Sequence, residues 1–234
     1  MIWIIVPLSR PANIARVRAN IALQNYPELR VCVVENGAAV GACRAAGWTP
    51  DLVLHSKRSA ADAKNVGVDA VRAVGGELWA CFDDDDYYGP EHLVDLAARL
   101  GNKAAVARRC GWMNLPDGLY FFDAPMLLGA TVLARVEHTV RFRDIGVGED
   151  IAWFADMRAA GHAVIDAGPA HFLYDRAAPD HTWRADPVVV RRNFGPADFF
   201  GPVDPARFCA GEIVYPVEYR PRPTDAEVLE AIAS

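Results

Sequence analysis

The sequence LWACFDDDDYYGP, residues 78–90, contains the strongest local signal in the chain. Its first five residues form a short apolar run, which is typical of a buried strand in a parallel sheet. Four consecutive aspartates, Asp83 to Asp86, end that run. Adjacent carboxylates repel one another, and a divalent cation such as Mn²⁺ or Mg²⁺, which prefers oxygen ligands, would relieve the repulsion. The stretch therefore predicts a metal site at the end of a strand, with a solvated acidic turn as the alternative.

Strands and helices alternate along the first hundred residues. Apolar, β-branched runs predict strands at 2–6 (ended by Pro7), 30–35, 52–55 and 78–82. Apolar residues at helical spacing predict helices at 14–21, 38–46, 59–74 and 90–100. This alternation is typical of an α/β fold, an open and mostly parallel twisted sheet with flanking crossover helices. Ligands gather at the carboxyl ends of strands in such sheets, which is where the aspartates lie.

The pattern loosens after Gly101 and favours a smaller half with a mixed sheet. We predict strands at 104–107, 119–122, 130–133, 163–167 and 170–174, and a helix at 150–160. One domain is expected over residues 1–185, with its two halves at 1–100 and 101–185. A C-terminal extension, residues 186–234, is rich in Pro, Phe and Gly and has a predicted terminal helix at 224–233.

Composition narrows the classes of function. The net charge of −6 provides no global basic field for nucleic acid or acidic membranes. The five cysteines are odd in number and lack CxxC spacing, which favours core thiols in a reducing compartment. The N-terminal apolar run is too short for a signal peptide, and no stretch approaches the length of a membrane span. We therefore expect a cytoplasmic protein without a transmembrane segment.

Phosphate-binding glycine motifs are missing from the sequence. No GxGxxG follows the first predicted strand, and GxxxxGK[ST] occurs nowhere. If the ligand carries phosphate, a metal held by Asp83 to Asp86 would have to neutralise it instead.

Four segments, taken in order, resemble one family. They are the stretch 4–37, which contains Gln24-Asn25-Tyr26-Pro27, and then Ala63-Lys64-Asn65-Val66-Gly67, Phe82 to Pro90, and Gly148-Glu149-Asp150. Together they resemble the GT-A fold glycosyltransferases, especially the large inverting family 2. The chain departs from that pattern at Glu35, where Asp is usual, at Lys64, where Arg is usual, and in lacking a Q-x-x-R-W motif.

The resemblance implies a donor site for a nucleotide-sugar in the first half of the chain. Its implied members are Pro7, Ser9, Arg10 and Glu35 around base and ribose, Lys64 and Asn65 beside the nucleotide, and Asp83 at the ribose. A carboxylate such as Glu35 accepts hydrogen bonds from a base edge or from ribose hydroxyls. The alternatives are a turn-capping acid for Glu35 and a surface lysine for Lys64.

The same resemblance implies that Asp85 binds the metal, with Asp83 and Asp86 as further candidate ligands. Asp84 is grouped with the donor-binding residues, but it occupies the variable position of the motif, so we expect it to face solvent. His181, in a polar loop, is the candidate histidine ligand, whereas His171 precedes an apolar run and fits a core histidine better.

On the acceptor side, Asp150 is the implied general base, and Glu149 orients the acceptor or shares that role. Helix capping is the alternative, because acids are favoured at helix starts. Contacts with acceptor or phosphate are assigned to Trp183, Arg184 and Arg176, for which packing or surface exposure is the alternative.

The expected activity is metal-dependent, inverting sugar transfer from a UDP-sugar to an acceptor hydroxyl. A nucleotidyltransferase and a non-catalytic nucleotide-sugar-binding module are the alternatives. A nucleotidyltransferase would normally carry a glycine-rich basic loop after its first strand, which LSRPANIAR is not. A saccharide or small molecule is the favoured acceptor. A modified DNA base stays open because these arginines could form a patch: Arg108–Arg109, Arg141, Arg143 and Arg191–Arg192.

Overall fold

The computed structural model of the protein describes residues 1–57, 59–122, 126–146, 148–177 and 197–212. Its strands are β1 (Ile2–Leu8), β2 (Leu29–Asn36), β3 (Leu52–Ser56), β4 (Leu78–Cys81), β5 (Tyr87–Tyr88), β6 (Ala105–Ala107), β7 (Trp112–Leu115), β8 (Gly118–Phe122), β9 (Leu133–Arg135), β10 (Val164–Asp166), β11 (Phe172–Asp175) and β12 (Ala197–Gly201). Its helices are α1 (Ile14–Ala22), α2 (Ala42–Ala45), α3 (Ala60–Ala73), α4 (His92–Leu100), α5 (Glu149–Ala159) and α6 (Pro205–Cys209).

The central sheet has seven strands in the order β10-β6-β9-β4-β1-β2-β3. Every strand runs parallel to the others except β9, which is antiparallel to both β4 and β6. The chain moves outward from β1 through β2 to β3 and then returns to β4, on the other side of β1. Ligands of open α/β sheets bind where the strand order reverses in this way. That point lies between the carboxyl ends of β1 and β4, just before Ser9 and Asp83.

Both faces of the central sheet are covered, because side chains of β1 alternate between two cores. Ile4 and Val6 pack in the cluster that contains Leu93 of α4. Ile5 packs on the opposite face, in the cluster that contains Val71 of α3. Full burial of one such aliphatic side chain contributes about 1.5–3 kcal/mol. A mostly parallel sheet with helices on both faces confirms the predicted α/β class.

A second sheet of five strands follows the order β12-β8-β7-β11-β5. It is mixed, since β7 and β11 are parallel and its other pairs are antiparallel. Strand β5 begins immediately after the four aspartates, while β4 of the first sheet ends just before them. The acidic turn therefore joins the two sheets.

Two predicted elements differ from the structure. The strand predicted at 130–133 is wrong, because Gly129–Thr131 forms a turn of 3-10 helix and β9 begins only at Leu133. The Thr131 hydroxyl donates to the Leu128 carbonyl at 2.8 Å, and such local bonds compete with strand pairing. Strand β1 also continues through Pro7. Pairing with β4 ends at Ile5, so the proline lies where only β2 continues alongside.

Other sequence predictions have simpler outcomes. All five cysteines are buried and unpaired, as predicted. In the described part of the chain, no helix has the length and apolar character needed to cross a membrane. The helix predicted at 224–233 lies outside the described residues. Short strands β5 and β7 lacked a sequence signal that we recognised.

We predict that Gly67→Ala destabilises the protein although alanine normally stabilises a helix by about 0.5–1 kcal/mol over glycine. A Cβ at Gly67 would lie 2.4 Å from Ile5 Cγ2, so α3 would be pushed away from β1. Overpacking of this kind costs about 1–3 kcal/mol, which denaturant unfolding would measure. In an Ile5→Ala background the contacting methyl is absent, so the same substitution should cost less. Equal costs in both backgrounds would contradict the contact.

Candidate active site

Asp84 is buried, and the prediction that it faces solvent is wrong: its exposed fraction is 3%. Its Oδ2 accepts hydrogen bonds from the backbone N–H of Ser9 at 2.7 Å and of Arg10 at 2.9 Å. Its Oδ1 accepts from the Arg10 guanidinium at 3.0 Å. Asp84 thus fastens the end of β1 to the end of β4, and this anchoring explains why the side chain turns inward.

Asp85 and Asp86 contact two different arginines. Asp85 Oδ2 lies 3.0 Å from Arg10 Nη1 and 3.8 Å from Arg176 Nη1. Asp86 is fully buried, and its Oδ1 accepts from the Asp175 backbone at 3.0 Å and from Arg176 at 2.9 Å. Among the described residues, Asp86 Oδ2 has no hydrogen-bond partner although it is buried. A buried carboxylate oxygen without a partner is costly, which makes it a natural cation ligand.

Asp83 faces a buried lysine. Lys64 is almost fully buried in α3, and its Nζ lies 3.2 Å from Glu149 Oε1. Burial disfavours the charge on Lys64, but attraction from Asp83 and neighbouring carboxylates outweighs it and raises the pKa of Lys64 well above its ordinary value. Lys64 is therefore a fixed positive charge between the acidic turn and the start of α5.

Asp150 lies in the first turn of α5 and touches a different segment. Its Oδ2 accepts a hydrogen bond from the Gly129 backbone N–H at 3.1 Å. Its Oδ1 accepts from the N–H of Ile151 at 2.9 Å, so one oxygen has the helix-start role considered for this residue. The N-cap itself is Gly148, which makes no side-chain bond. Asp150 is half-buried.

The residues present fit a divalent cation. Carboxylate oxygens of Asp83, Asp85 and Asp86 lie within 4.8 Å of one another. Burial raises the pKa of Asp83; Lys64 opposes this rise, and Asp85 adds to it. Burial likewise raises the pKa of Asp86 well above its ordinary value, against the attraction of Arg176. The cluster thus brings three carboxylates together in a largely buried place, and its all-oxygen donor set suits Mg²⁺ or Mn²⁺.

The surrounding charges support the same conclusion. Among the described residues, seven carboxylates and four basic groups surround the acidic turn. The acids are Asp83, Asp84, Asp85, Asp86, Glu149, Asp150 and Asp175, and the bases are Arg10, Arg16, Lys64 and Arg176. Each of these basic groups already contacts a carboxylate.

Glu35 makes the contacts of the turn-capping alternative. Its carboxylate accepts from the backbone N–H of Gly41 at 2.6 Å and of Cys43 at 2.7 Å. His55, at the end of β3, lies 3.3 Å from the same carboxylate. These residues line an open depression of about 560 Å³, which Trp48 also lines. None of the four aspartates lines it, but β1 connects the two places at one edge of the sheet.

The remaining predicted residues lie in different places. Asn65 exchanges two hydrogen bonds of 2.9 Å with the Phe142 backbone, so it fastens a loop. Pro7 is buried within β1. Arg176 is buried, with its guanidinium 3.3 Å from the Tyr174 ring centre and paired with Asp86, as described above. Three predicted residues lie outside the described part of the chain: His181, Trp183 and Arg184.

The predicted arginine patch is only partly at the surface. Arg108 is fully buried and pairs with Asp95 at 2.8 Å, and Arg109 is buried beside Asp166. Their assignment to a surface patch is therefore wrong; the sequence did not distinguish a buried arginine with an acidic partner from an exposed one. Arg141 and Arg143 are exposed but already paired with carboxylates, and residues 191–192 lie outside the described part.

Sequence reasoning also missed residues that organise the site. Arg16 of α1 contacts Asp175 at 3.2 Å and donates to the Asp85 carbonyl. Asp175 closes β11, and a strand-end acid is the one signal that would have marked it. Tyr88 donates its hydroxyl to the Ala130 carbonyl at 3.0 Å and accepts from the Asp83 N–H at 2.8 Å.

Comparison with solved structures shows that the fold is that of the GT-A glycosyltransferases, as the resemblance implied. One similar structure is S. aureus TarS 1–349 with UDP-GlcNAc, at 16% identity and a TM-score of 0.60, covering 77% of this chain and 60% of that one. Another is the mannosyltransferase PcManGT from Pyrobaculum calidifontis with GDP-Man and Mn²⁺, at 20% identity and a TM-score of 0.57, covering 77% and 57%.

At these identities the likeness establishes a shared fold. The chain spans about 60% of the length of the TarS 1–349 structure. No family model matches the sequence, and no curated protein matches it.

We predict that Glu35→Gln destabilises the protein at pH 7 by about 1–3 kcal/mol, because an amide offers only one acceptor to the two backbone donors. Burial raises the pKa of Glu35, but the bonds from Cys43 and Gly41 outweigh it and lower the pKa below its ordinary 4.5. A lowered pKa stabilises the fold above the unfolded-state value, and this contribution disappears as the pH falls through the folded-state value.

Denaturant unfolding of wild type and variant should therefore differ at pH 7 and converge on acidification below about pH 4.5, the ordinary pKa of the group. Glu28→Gln is the matched control, since Glu28 is exposed and should show little effect at either pH. A pH-independent loss in Glu35→Gln would point to packing instead of charge.

Proposed function

We propose that the protein is a metal-dependent glycosyltransferase that moves a sugar, with inversion, from a nucleotide-diphosphate sugar to an acceptor hydroxyl. The observation that carries this proposal is the juxtaposition at one sheet edge of the Asp83–Asp86 cluster with Asp150. The cluster lies at the switch point between β1 and β4. Asp150 lies in the first turn of α5, and Lys64 pairs with Glu149, the first residue of that helix, while it attracts Asp83 and Asp150. The glycosyltransferase names of structures sharing the fold support the same proposal.

The donor side uses the acidic turn. Asp85, with Asp83 and Asp86, would hold Mn²⁺ or Mg²⁺, which when bound stabilises the negative charge that grows on a leaving diphosphate. Asp84 fixes the loop after β1, and this keeps Ser9 and Arg10 at the edge of the donor site. The depression beside Glu35 is the proposed place of the nucleobase, with Glu35 holding its wall. A UDP-sugar is the favoured donor.

The acceptor side uses Asp150 as general base. The acceptor oxygen attacks the anomeric carbon from the face opposite the diphosphate, and its proton passes to the Asp150 carboxylate. Glu149 is held by Lys64, so its proposed task is to orient the helix start rather than to take the proton. A carboxylate in this place needs to be accessible and fixed, and the bond from Gly129 fixes Asp150.

A nucleotidyltransferase is less well supported. That activity commonly uses backbone N–H groups after the first strand to bind phosphate. Here the N–H groups of Ser9 and Arg10 donate to Asp84. A non-catalytic binding module is the other alternative, and it would bind the same donor without turnover. The proposed acceptor is a saccharide or small molecule, because the net charge is −6 and two arginines of the predicted patch, Arg108 and Arg109, are buried.

We expect binding of the correct nucleotide-sugar to depend on the metal and on Asp85. Calorimetry of a donor panel (UDP-, GDP- and dTDP-sugars), with and without Mn²⁺, should find one donor class whose affinity rises at least tenfold with the metal. Asp85→Asn should remove that rise while the protein stays folded, because it deletes one anionic oxygen ligand. Asp69→Asn, a change on the surface, is the matched control. Undiminished Mn²⁺ dependence in Asp85→Asn would refute the metal assignment.

Asp150→Asn should bind the donor within threefold of wild type but transfer sugar at least a hundredfold more slowly, since general-base catalysis contributes about 10²–10⁴. Donor affinity by calorimetry and single-turnover transfer to a panel of acceptors would separate the two effects. Weaker donor binding with an intact rate would remove Asp150 from the base role. Donor binding without turnover in the wild-type protein, across acceptors, would favour the binding module.

A further inference from the structure

Gly129 approaches Asp150 so closely that no other residue fits. A Cβ built at Gly129 would lie 2.4 Å from Asp150 Cβ, although the backbone there has no positive φ. Glycine is therefore required because Asp150 lies so close, and not because of the backbone conformation at Gly129. The same approach brings the Gly129 N–H to Asp150 Oδ2.

Two hydroxyl groups, those of Thr131 and Tyr88, hold the turn that contains Gly129. Thr131 Oγ1 accepts from the Arg108 backbone N–H and donates to the Leu128 carbonyl, both at 2.8 Å. The Tyr88 hydroxyl donates to the Ala130 carbonyl at 3.0 Å. The position of the Gly129 N–H is therefore determined by the residues on either side of it.

Tyr88 also reaches the acidic turn. Its hydroxyl oxygen accepts the backbone N–H of Asp83 at 2.8 Å. The ring is fully buried and stacks on Phe82 with 3.9 Å between ring centres, and His92 packs edge-on against it at 5.1 Å. Because Phe82 and His92 pack against the ring, the ring cannot move much, and the position of the Tyr88 hydroxyl oxygen is fixed.

We infer that Tyr88 is a positioning residue that sets the place of Asp150 relative to the acidic cluster. The link runs from the Asp83 N–H to the Tyr88 hydroxyl, then through Ala130 and Gly129 to the Asp150 carboxylate. This inference rests on the proposed function for its catalytic meaning, since transfer requires metal-side and base-side groups at a fixed separation. A misplacement of about 1 Å can cost a hundredfold in rate.

Tyr88→Phe tests the link, because it keeps the stacked ring and removes only the hydroxyl. Hydrogen exchange by NMR should show the Gly129 amide, which Tyr88 does not touch, exchanging at least tenfold faster in the variant. In the same variant kcat should fall about tenfold or more, with the donor KM within threefold of wild type. Tyr120→Phe is the matched control. Tyr120 lies in β8 of the second sheet and donates its hydroxyl to Asp117, so its loss should change neither the exchange rate of the Gly129 amide nor kcat.

Unchanged exchange at Gly129 in Tyr88→Phe overturns the inference, whether or not the protein transfers sugar. Faster exchange with kcat within twofold of wild type overturns the catalytic role of the link. A wild-type protein that turns over no nucleotide-sugar contradicts the proposed function instead, and the exchange result still decides the link. Should Tyr88→Phe fail to fold, Asp150→Ala tests the link from its other end, because it removes the acceptor of the Gly129 N–H and places no side chain at Gly129. Faster exchange of the Asp83 amide in that variant supports the link, and an unchanged rate overturns it.

Discussion

Concentrated negative charge at the junction of β1 and β4 is the constraint on which the rest of the site depends. Four carboxylates in consecutive positions cannot share one environment, and the fold gives each its own partners. Asp84 binds backbone at the end of β1, Asp86 binds Arg176, and Asp83 faces Lys64. Burial is the main cause that raises the pKa values of Asp83 and Asp86, and among the described residues the buried Oδ2 of Asp86 has no hydrogen-bond partner. This unsatisfied buried oxygen, with carboxylate oxygens of Asp83 and Asp85 close to Asp86, is the physical reason to expect a cation there.

The same turn makes the fold continuous. Strand β4 lies in the central sheet and β5 in the second sheet, so the acidic turn is the covalent joint between them. Arg16 and Asp175 add a non-covalent joint from α1 to β11. The turn that is proposed to bind a metal thus also holds the two sheets together. Changes in charge at this turn should therefore alter both the relation between the sheets and the affinity for ligands.

The sequence predicted the parts of this site that depend on local pattern. Apolar runs and helical spacing located the first four strands and their helices, and the aspartates marked the end of β4. The sequence did not predict that Asp84, Arg108 and Arg109 are buried, because burial of a charge depends on a partner distant in the chain. Ser9, for example, lies 75 residues from Asp84. The turn at Gly129 was missed for the same reason, since its apolar neighbours resemble a strand while Thr131 and Tyr88 hold it otherwise.

The basic residues near the acidic turn are already paired with carboxylates, and this pairing affects how a donor would bind. A diphosphate is itself an anion, and Arg10, Lys64 and Arg176 already contact carboxylates. Bringing a diphosphate beside this group of carboxylates is unfavourable unless a cation arrives with it or before it. Had these side chains been free, they alone would have served as a phosphate clamp and the metal would have been dispensable. Under the proposed function, their engagement should instead make binding of metal and donor cooperative, because each reduces the electrostatic cost of the other.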